Sequence, residues 1–310
     1  MKTAILVNYS ANQNSGKKKW LRISDQVIKQ LPGKPLIIPY ETPFNIKGCV
    51  KNLIHEHGIS CFISAGGDGS VNYLVNALIS ITGKASSNYC IGGIGLGSSN
   101  DFLKPVMKKI NGVPVKIQPD KNNFSDVGKV TYLDPDNQER CRLFIINASL
   151  GITADANLLF NKGDRFIRFT KSRMVGISIL YTALKTLARY RNKTITITTD
   201  ETTKRIKIAN ISLTKSPYIS GSFHYDQSPL RDGGNLGFHC TGDLNKMEII
   251  KTLWDLSRGL YNGSPKRETS FISNLKIESD EPVALETDGE IQMGKKFTFS
   301  VIPRAICLAS

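Results

Sequence analysis

Gly66-Gly67-Asp68-Gly69-Ser70 is a run of small residues enclosing one acid, set between an apolar segment (Ile59 to Ala65) and a helix-like one (Val71 to Leu78). Strand, glycine turn, helix is the arrangement that offers backbone N–H groups to a phosphate at a helix N-terminus. Glycines let the main chain approach an anion with no Cβ in the way. A carboxylate inside such a turn repels phosphate unless Mg²⁺ lies between them, so Asp68 points to a metal–nucleotide rather than a bare anion. The plain alternative is a tight βα turn whose glycines merely supply positive φ. A second glycine-rich segment, Gly92 to Phe102, follows an expected strand at Asn88 to Ile91 and again offers backbone donors, hydroxyls and a carboxylate. Two such turns at the C-terminal ends of parallel strands can hold one nucleotide between them.

Further acids lie downstream. Asp126 opens a strand in Ser125-Asp126-Val127-Gly128, Asp232 lies between Pro229 and Leu236, and Asp288 and Glu290 flank Gly289. Acids in Asp-Gly turns are commonly turn formers, because Asp tolerates the left-handed region and bonds its own backbone. Glu290 follows its Asp-Gly pair, does no turn work, and can project into a cleft between domains.

The elements that must position these residues change character along the chain. Up to residue 122 strands alternate with helices: Ala4 to Val7, Lys17 to Leu31, Leu36 to Ile38, Ile46 to His57, then the two glycine-turn units. This pattern predicts an α/β nucleotide-binding domain with a mostly parallel sheet over 1–122, with 303–310 as a candidate addition to it. Over 123–302 short β-rich runs predict an antiparallel β-sandwich. Its expected strands are Val127 to Tyr132, Arg142 to Asn147, Thr194 to Thr198, Arg205 to Leu213, Leu236 to Cys240, Asn274 to Ser279, Val283 to Glu286 and Lys296 to Ile302. One helix is expected among them, Val175 to Arg191, carrying Ile179, Leu180, Leu184, Leu187 and Ala188, with Arg165, Arg168, Lys171 and Arg173 before it and Arg189 and Arg191 at its end. It reads as a core helix with basic solvated ends, or as a membrane-facing one.

The 310 residues are 40% hydrophobic and 22% charged, enough for a sizeable core, and carry a formal net charge of +15. The basic clusters are not interleaved with aromatics as a base-stacking platform would be, so they fit an anionic membrane surface or a nucleotide substrate better than nucleic acid. The other reading is a surface tuned for solubility. Six cysteines show no Cys-x-x-Cys pair, which argues against a zinc site and for a reducing compartment. Cys61, Cys90, Cys141 and Cys307 read as small core residues. The N-terminal apolar stretch is too short for a signal peptide, and no window spans a membrane, so the expectation is a soluble, cytoplasmic protein with peripheral membrane contact.

Taken in order, Gly66-Gly67-Asp68-Gly69-Ser70 with Asn72, Gly97-Ser98-Ser99-Asn100-Asp101-Phe102, Asp126-Val127-Gly128, Pro229 with Asp232-Gly233, and Asp288-Gly289-Glu290 resemble the diacylglycerol kinase catalytic family, specifically its soluble bacterial lipid kinases. The resemblance runs over nearly the whole chain. It implies an α/β domain followed by a β-sandwich, with ATP in the cleft between them. It implies that Asn8, Ser15, Gly16, Lys17 and Thr42 contact the nucleotide, that Gly66, Gly67, Asp68, Gly69, Ser70 and Asn72 form the main phosphate loop, and that Gly97, Ser98, Asn100 and Asp101 form the second. It further implies that Asp68 and Asp126 join the acidic network around a catalytic Mg²⁺, that Glu290 is the general base with Asp288 next in line, and that Pro229, Asp232 and Gly234 hold a structural Mg²⁺. The implied activity is ATP-dependent phosphorylation of a lipid hydroxyl, with no nucleic-acid partner and a homodimer left open. Departures are Tyr9 for proline, Ser70 and Ser98 for threonine, Tyr73 for glutamate and Ser99 for glycine. NAD kinases and phosphofructokinases share a Gly-Gly-Asp-Gly turn, and a non-catalytic binding protein that keeps the fold is the remaining alternative.

Overall fold

The structure is a computed structural model that describes residues 1–120, 123–162, 175–199 and 202–310. Strand β1 (Thr3–Asn8) is buried at every position, as are β3 (Cys61–Gly66) and β4 (Cys90–Gly95). Runs that are apolar throughout suit a parallel sheet covered on both faces. With β2 (Leu36–Tyr40) these strands pair in parallel in the order β2-β1-β3-β4. A single turn, α1 (Ala11–Asn14), leads into α2 (Gly16–Gln30), which buries Trp20, Ile23 and Val27 at helical spacing against one face of the sheet. Helices α3 (Ile46–His55) and α4 (Asp68–Thr82) cover the other face through Val50, Leu53, Leu74 and Leu78.

The second glycine segment is divided differently from the sequence reading. Gly92, Gly93 and Gly95 lie inside β4, not in a turn. A Cβ on Gly92 would sit 2.5 Å from the Lys116 carbonyl oxygen, and one on Gly95 2.7 Å from the Pro114 ring. These glycines admit the chain that packs over β4, the small hairpin β5 (Lys109–Ile110) and β6 (Val113–Lys116).

The hairpin β7 (Phe124–Leu133) and β8 (Glu139–Phe144) closes at Asp134–Asn137, as its turn residues require. Next come β9 (Asn147–Gly151), α5 (Ile152–Lys162), α6 (Val175–Arg189), β10 (Lys193–Thr198), β11 (Thr203–Ile208) and β12 (Asn210–Thr214). The short pair β13 (Tyr218–Ile219) and β14 (Phe223–His224) precedes β15 (Leu236–Thr241), α7 (Lys246–Ser257), β16 (Arg267–Ile272), β17 (Leu275–Thr287) and β18 (Glu290–Leu308). The antiparallel path β16-β15-β12-β9-β17-β18 encloses a second core around Phe144, Leu285, Phe297 and Phe299. Strand β18 continues into the first domain, where Cys307 and Leu308 pair in parallel with Cys90 and Ile91.

Several expectations are corrected. Arg205 to Leu213 is two strands parted at Ala209, whose N–H turns to the carbonyls of Thr241 and Gly242. Asn274 to Ser279 and Val283 to Glu286 are one strand, β17, with a register shift after Glu278. The second domain holds α5 and α7 besides α6. Cys141 is exposed, because β8 pairs only with β7 at a sheet edge. Arg165, Arg168, Lys171 and Arg173 lie outside the described residues, as do the side chains of Ile179 and Leu180. Among the described residues no helix is long and apolar enough to cross a membrane.

Candidate active site

The two glycine turns meet. Leu96 N–H and Gly97 N–H both donate to the Gly66 carbonyl, at 2.9 and 3.1 Å. A Cβ on Gly97 would overlap Gly67 Cα, and one on Gly66 would overlap the Ser70 hydroxyl. None of Gly66, Gly67, Gly69 and Gly97 has positive φ. Gly66, Gly67 and Gly97 are therefore there for the close approach of the two turns, and supplying positive φ is not the role of these glycines. Asn100, at φ 54°, closes the second turn by accepting from Gly97 N–H and donating to the Gly97 carbonyl. Lys19, which sequence reasoning missed, donates to the Leu96 carbonyl at 3.2 Å from beneath. Burial holds its ammonium below the usual lysine range.

Beside the turns opens a hollow of about 950 Å³, lined by Asn8, Thr42, Asp68, Ser70, Tyr73 and Ser98 among others. Gly67 caps α4 with no side-chain bond and its carbonyl takes Ser70 N–H at 3.0 Å, so of the first turn the N–H groups of Asp68 and Gly69 are left open to a ligand. A Cβ on Gly69, which also lines the hollow, would meet nothing within 4 Å. Asn8 donates to the Ser70 hydroxyl at 3.0 Å and accepts from Ser10 N–H, while Ser10 in turn accepts from Thr42 N–H, so three lining elements are tied together. Ser15, Gly16 and Lys17 are not part of the lining. Ser15 bonds the Asn12 carbonyl, Gly16 packs under the Asn8 carbonyl, and the Lys17 ammonium lies 5.5 Å from the Tyr9 ring centre.

Asp68 is the carboxylate of this lining. It accepts from Phe102 N–H at 3.0 Å, and burial, only partly offset by that bond, pushes it up to about 6. The charges of Asp101 and Asp288 add to the rise. A carboxylate so placed gains most from a cation. One carboxylate plus ligand phosphates is the usual donor set for Mg²⁺, so these residues fit that ion.

Asp101 does not face the hollow. It pairs with Lys104 at 2.7 Å and accepts from Gly221 N–H at 2.9 Å, tying the second turn to the other domain. Ser99 packs there too, its hydroxyl 3.2 Å from where a Gly221 Cβ would be. Lys116, unforeseen, donates to the Phe102 carbonyl at 3.2 Å, and burial pushes it down to about 8.

Asp288 is a clamp, not an exposed acid. Its oxygens accept from Ile145, Ile146 and Asn147 N–H and, at 2.7 Å, from the Asn72 amide. Asn72 also donates to the Leu143 carbonyl, so it joins α4 to the second domain instead of touching the hollow. Glu286, buried and pushed up to about 7 by that burial, accepts from the Asn147 amide, the Ser149 hydroxyl and Gly289 N–H. Clamp and brace together fix the turn that presents Glu290 at the start of β18. The Glu290 carboxylate lies close enough to the Tyr73 hydroxyl for its charge to act there, and burial followed by that negative charge pushes the phenol up. Tyr73 lines the hollow, so Glu290 stands at its rim, one side chain back.

Asp126 is a second correction. Its carboxylate accepts from Lys215 Nζ at 2.9 Å, Gly234 N–H at 2.8 Å and Arg304 N–H at 2.8 Å, with no side-chain exposure left. It is spent on these donors and does not line the hollow with Asp68. The expected structural metal at Pro229, Asp232 and Gly234 meets the same objection. Lys215 Nζ takes the carbonyls of Leu230 and Asn235, Gly234 N–H goes to Asp126, and Asp232 pairs with Arg304 at 3.3 Å. Two cations of the chain already hold this loop, and its one side-chain carboxylate, Asp232, is paired with Arg304. The residues do not fit a structural Mg²⁺ here. Replacing Lys215 by methionine strands a buried carboxylate and is expected to cost about 3 kcal/mol, read from the denaturant midpoint. A chelator should leave the wild-type melting curve unchanged, and a fall on chelation would restore the metal.

Comparison with known proteins agrees with this geometry. Residues 2–124 match the family model of the diacylglycerol kinase catalytic domain, and residues 148–310, more than half of the chain, match that of the YegS C-terminal NAD kinase beta sandwich-like domain. A curated protein of Staphylococcus haemolyticus (strain JCSC1435), "Putative lipid kinase SH2167", is 24% identical over 274 residues, covering 84% of this chain and 80% of its own. Two solved chains from Bacillus anthracis str. Sterne, one of them described as a diacylglycerol kinase, share the fold with TM-scores of 0.67 and 0.62. They are 15% and 14% identical, and each match covers 99% of this chain and 96% of theirs.

Proposed function

Because the chain belongs to the diacylglycerol kinase catalytic family, we propose that it is an ATP- and Mg²⁺-dependent lipid kinase, moving the γ-phosphate of ATP to the hydroxyl of a diacylglycerol-like lipid. What supports this most is the contact of the two glycine turns beside Asp68, with Glu290 at the rim of the same hollow. The N–H groups of Asp68 and Gly69 at the start of α4, with the second turn closing the site beside them, receive the phosphates. Asp68 is the residue that would hold Mg²⁺ beside the phosphates, and the ion would supply charge neutralisation at the transferring group. The lipid hydroxyl oxygen attacks the γ-phosphorus, the bond to the β–γ bridging oxygen breaks, ADP leaves, and Glu290 accepts the hydroxyl proton. Asn8, Thr42, Ser70 and Ser98 orient the nucleotide. Asp288, Glu286, Asn72 and Asp101 act as positioning residues, since each bonds backbone or side chains that set the turns.

Transfer of labelled phosphate from ATP should be seen with at least one member of a panel of diacylglycerol, phosphatidylglycerol and ceramide-like lipids. Label in none of them, from folded protein at saturating Mg²⁺–ATP, overturns the reading.

The formal charge of +15 fits work at an anionic bilayer. Binding to vesicles should require anionic lipid and weaken as salt shortens the Debye length below about 8 Å. Equal co-sedimentation with neutral and anionic vesicles would make the basic excess a solvated surface only.

A further inference from the structure

Helix α7 has two apolar faces, and the fold covers one. Ile249, Thr252 and Leu256 are buried. Met247, Ile250 and Trp254 are 72%, 44% and 64% exposed. At 3.6 residues per turn these three lie within about 60° of one another around the axis, and Lys251 and Arg258 follow within roughly 40° more. Both acids of the helix are already neutralised, Glu248 by Lys266 and Asp255 by Arg267, each at 2.7 Å. Lys251 and Arg258 make no ion pair among the described residues. At the N-terminal end of α7 a hollow of about 630 Å³ is lined by Arg191, Lys207, Lys246 and Lys266 against Asp243 and Glu248, a cationic excess beside the apolar stripe. The end of α6 packs beneath α7 through Leu187, and Lys246 donates to the Ala188 carbonyl at 2.8 Å.

We infer that the outer face of α7, with the basic hollow at its head, is the surface by which this protein docks on an anionic bilayer. A contiguous apolar stripe containing an exposed tryptophan marks an interaction site on a folded protein. Tryptophan with flanking cations is the composition of a helix lying in the headgroup plane. A second copy is the poorer occupant. The stripe is small against the roughly 800 Å² per partner that a stable protein interface buries, and self-pairing would bring unneutralised cations together. The choice of a bilayer rests on the lipid-kinase reading, while the stripe and its charges do not.

The chain has two tryptophans, and Trp20 is only 3% exposed, so emission changes on adding vesicles report Trp254. With phosphatidylglycerol-containing vesicles Trp254 emission should shift to the blue and be quenched by brominated acyl chains, whereas pure phosphatidylcholine should do neither. Substituting Met247, Ile250 and Trp254 together by serine should lower vesicle partitioning by roughly tenfold or more, the scale set by removing three large apolar groups from a bilayer. Melting temperature and transfer to detergent-dispersed lipid should be unchanged. Vesicle binding without any change at Trp254 overturns the proposal. So does a dimer that the triple substitution dissolves, with Trp254 already shielded before vesicles are added. If no lipid accepts phosphate yet Trp254 inserts, the docking surface stands and the lipid-kinase reading falls.

Discussion

Asp68→Asn is expected to lower phosphate transfer by about 10³-fold or more, the scale of losing a principal electrostatic stabiliser of the reacting group, with the fold intact. Asparagine keeps the volume and the acceptor for Phe102 N–H, so the turn keeps its shape. What it loses is the charge that can hold a cation against the phosphates. The sign of the accompanying pH effect follows from the carboxyl's position at about 6. Its folded value lies above the unfolded one of 3.8, so the native state binds more protons across that window and wild-type stability falls as pH rises from about 4 through about 6. The asparagine variant lacks this decline and should melt no lower than wild type at pH 8. Activity runs the other way. Only the ionised carboxylate holds the cation, so wild-type kcat/KM should fall as pH drops below about 6. Initial rates and melting curves at matched pH check both. Normal turnover by the variant at saturating Mg²⁺–ATP would remove Asp68 from the chemistry.

Glu290→Gln should reduce kcat by about 10²–10⁴-fold, the usual return of general acid–base help. Glutamine keeps the length and shape of the side chain beside Tyr73, so the rim keeps its geometry and nucleotide affinity should barely move. A merely structural Glu290 would behave otherwise, with a lower melting temperature and residual activity that follows the folded fraction. Both readouts on one preparation separate the cases. Full rate with full stability would leave the proton to another group. Asp288 is poorly placed for that, since four donors already occupy its carboxylate.

Much of this was legible in the residues because the information is local. Apolar runs broken by glycine turns predict parallel strands feeding helices, and the first turn lies where that pattern puts it, while the second begins only after Gly95. Gly92, Gly93 and Gly95 misled because glycine is read as a turn former, whereas here it makes room for the chain over β4, which no local pattern reveals. Asp126 and Asp288 misled for a related reason. An acid near a glycine looks alike whether it faces a ligand or is consumed by donors, and the donors of Asp126 come from Lys215, Gly234 and Arg304, which lie 89, 108 and 178 residues away. Lys19 and Lys116 hold backbone carbonyls of the second turn from other elements, so their roles appear only once the sheet is assembled. Helix α7 did have a signal. Asn245 and Glu248 form a capping box at its start, with each side chain bonded to the other residue's N–H, and that spacing is readable in the sequence.

The central claim is that the Asp68 hollow passes phosphate to a lipid hydroxyl under the control of Glu290. The most direct test places γ-labelled ATP, Mg²⁺, dispersed diacylglycerol and NAD in one vessel with wild-type protein, and in a second vessel with Glu290→Gln, then separates the organic from the aqueous phase. The account predicts label in the organic phase with wild type, a loss of about 10²-fold or more in its rate with the variant, and no labelled dinucleotide. Label on the dinucleotide, or lipid labelling at the same rate in both vessels, would contradict it.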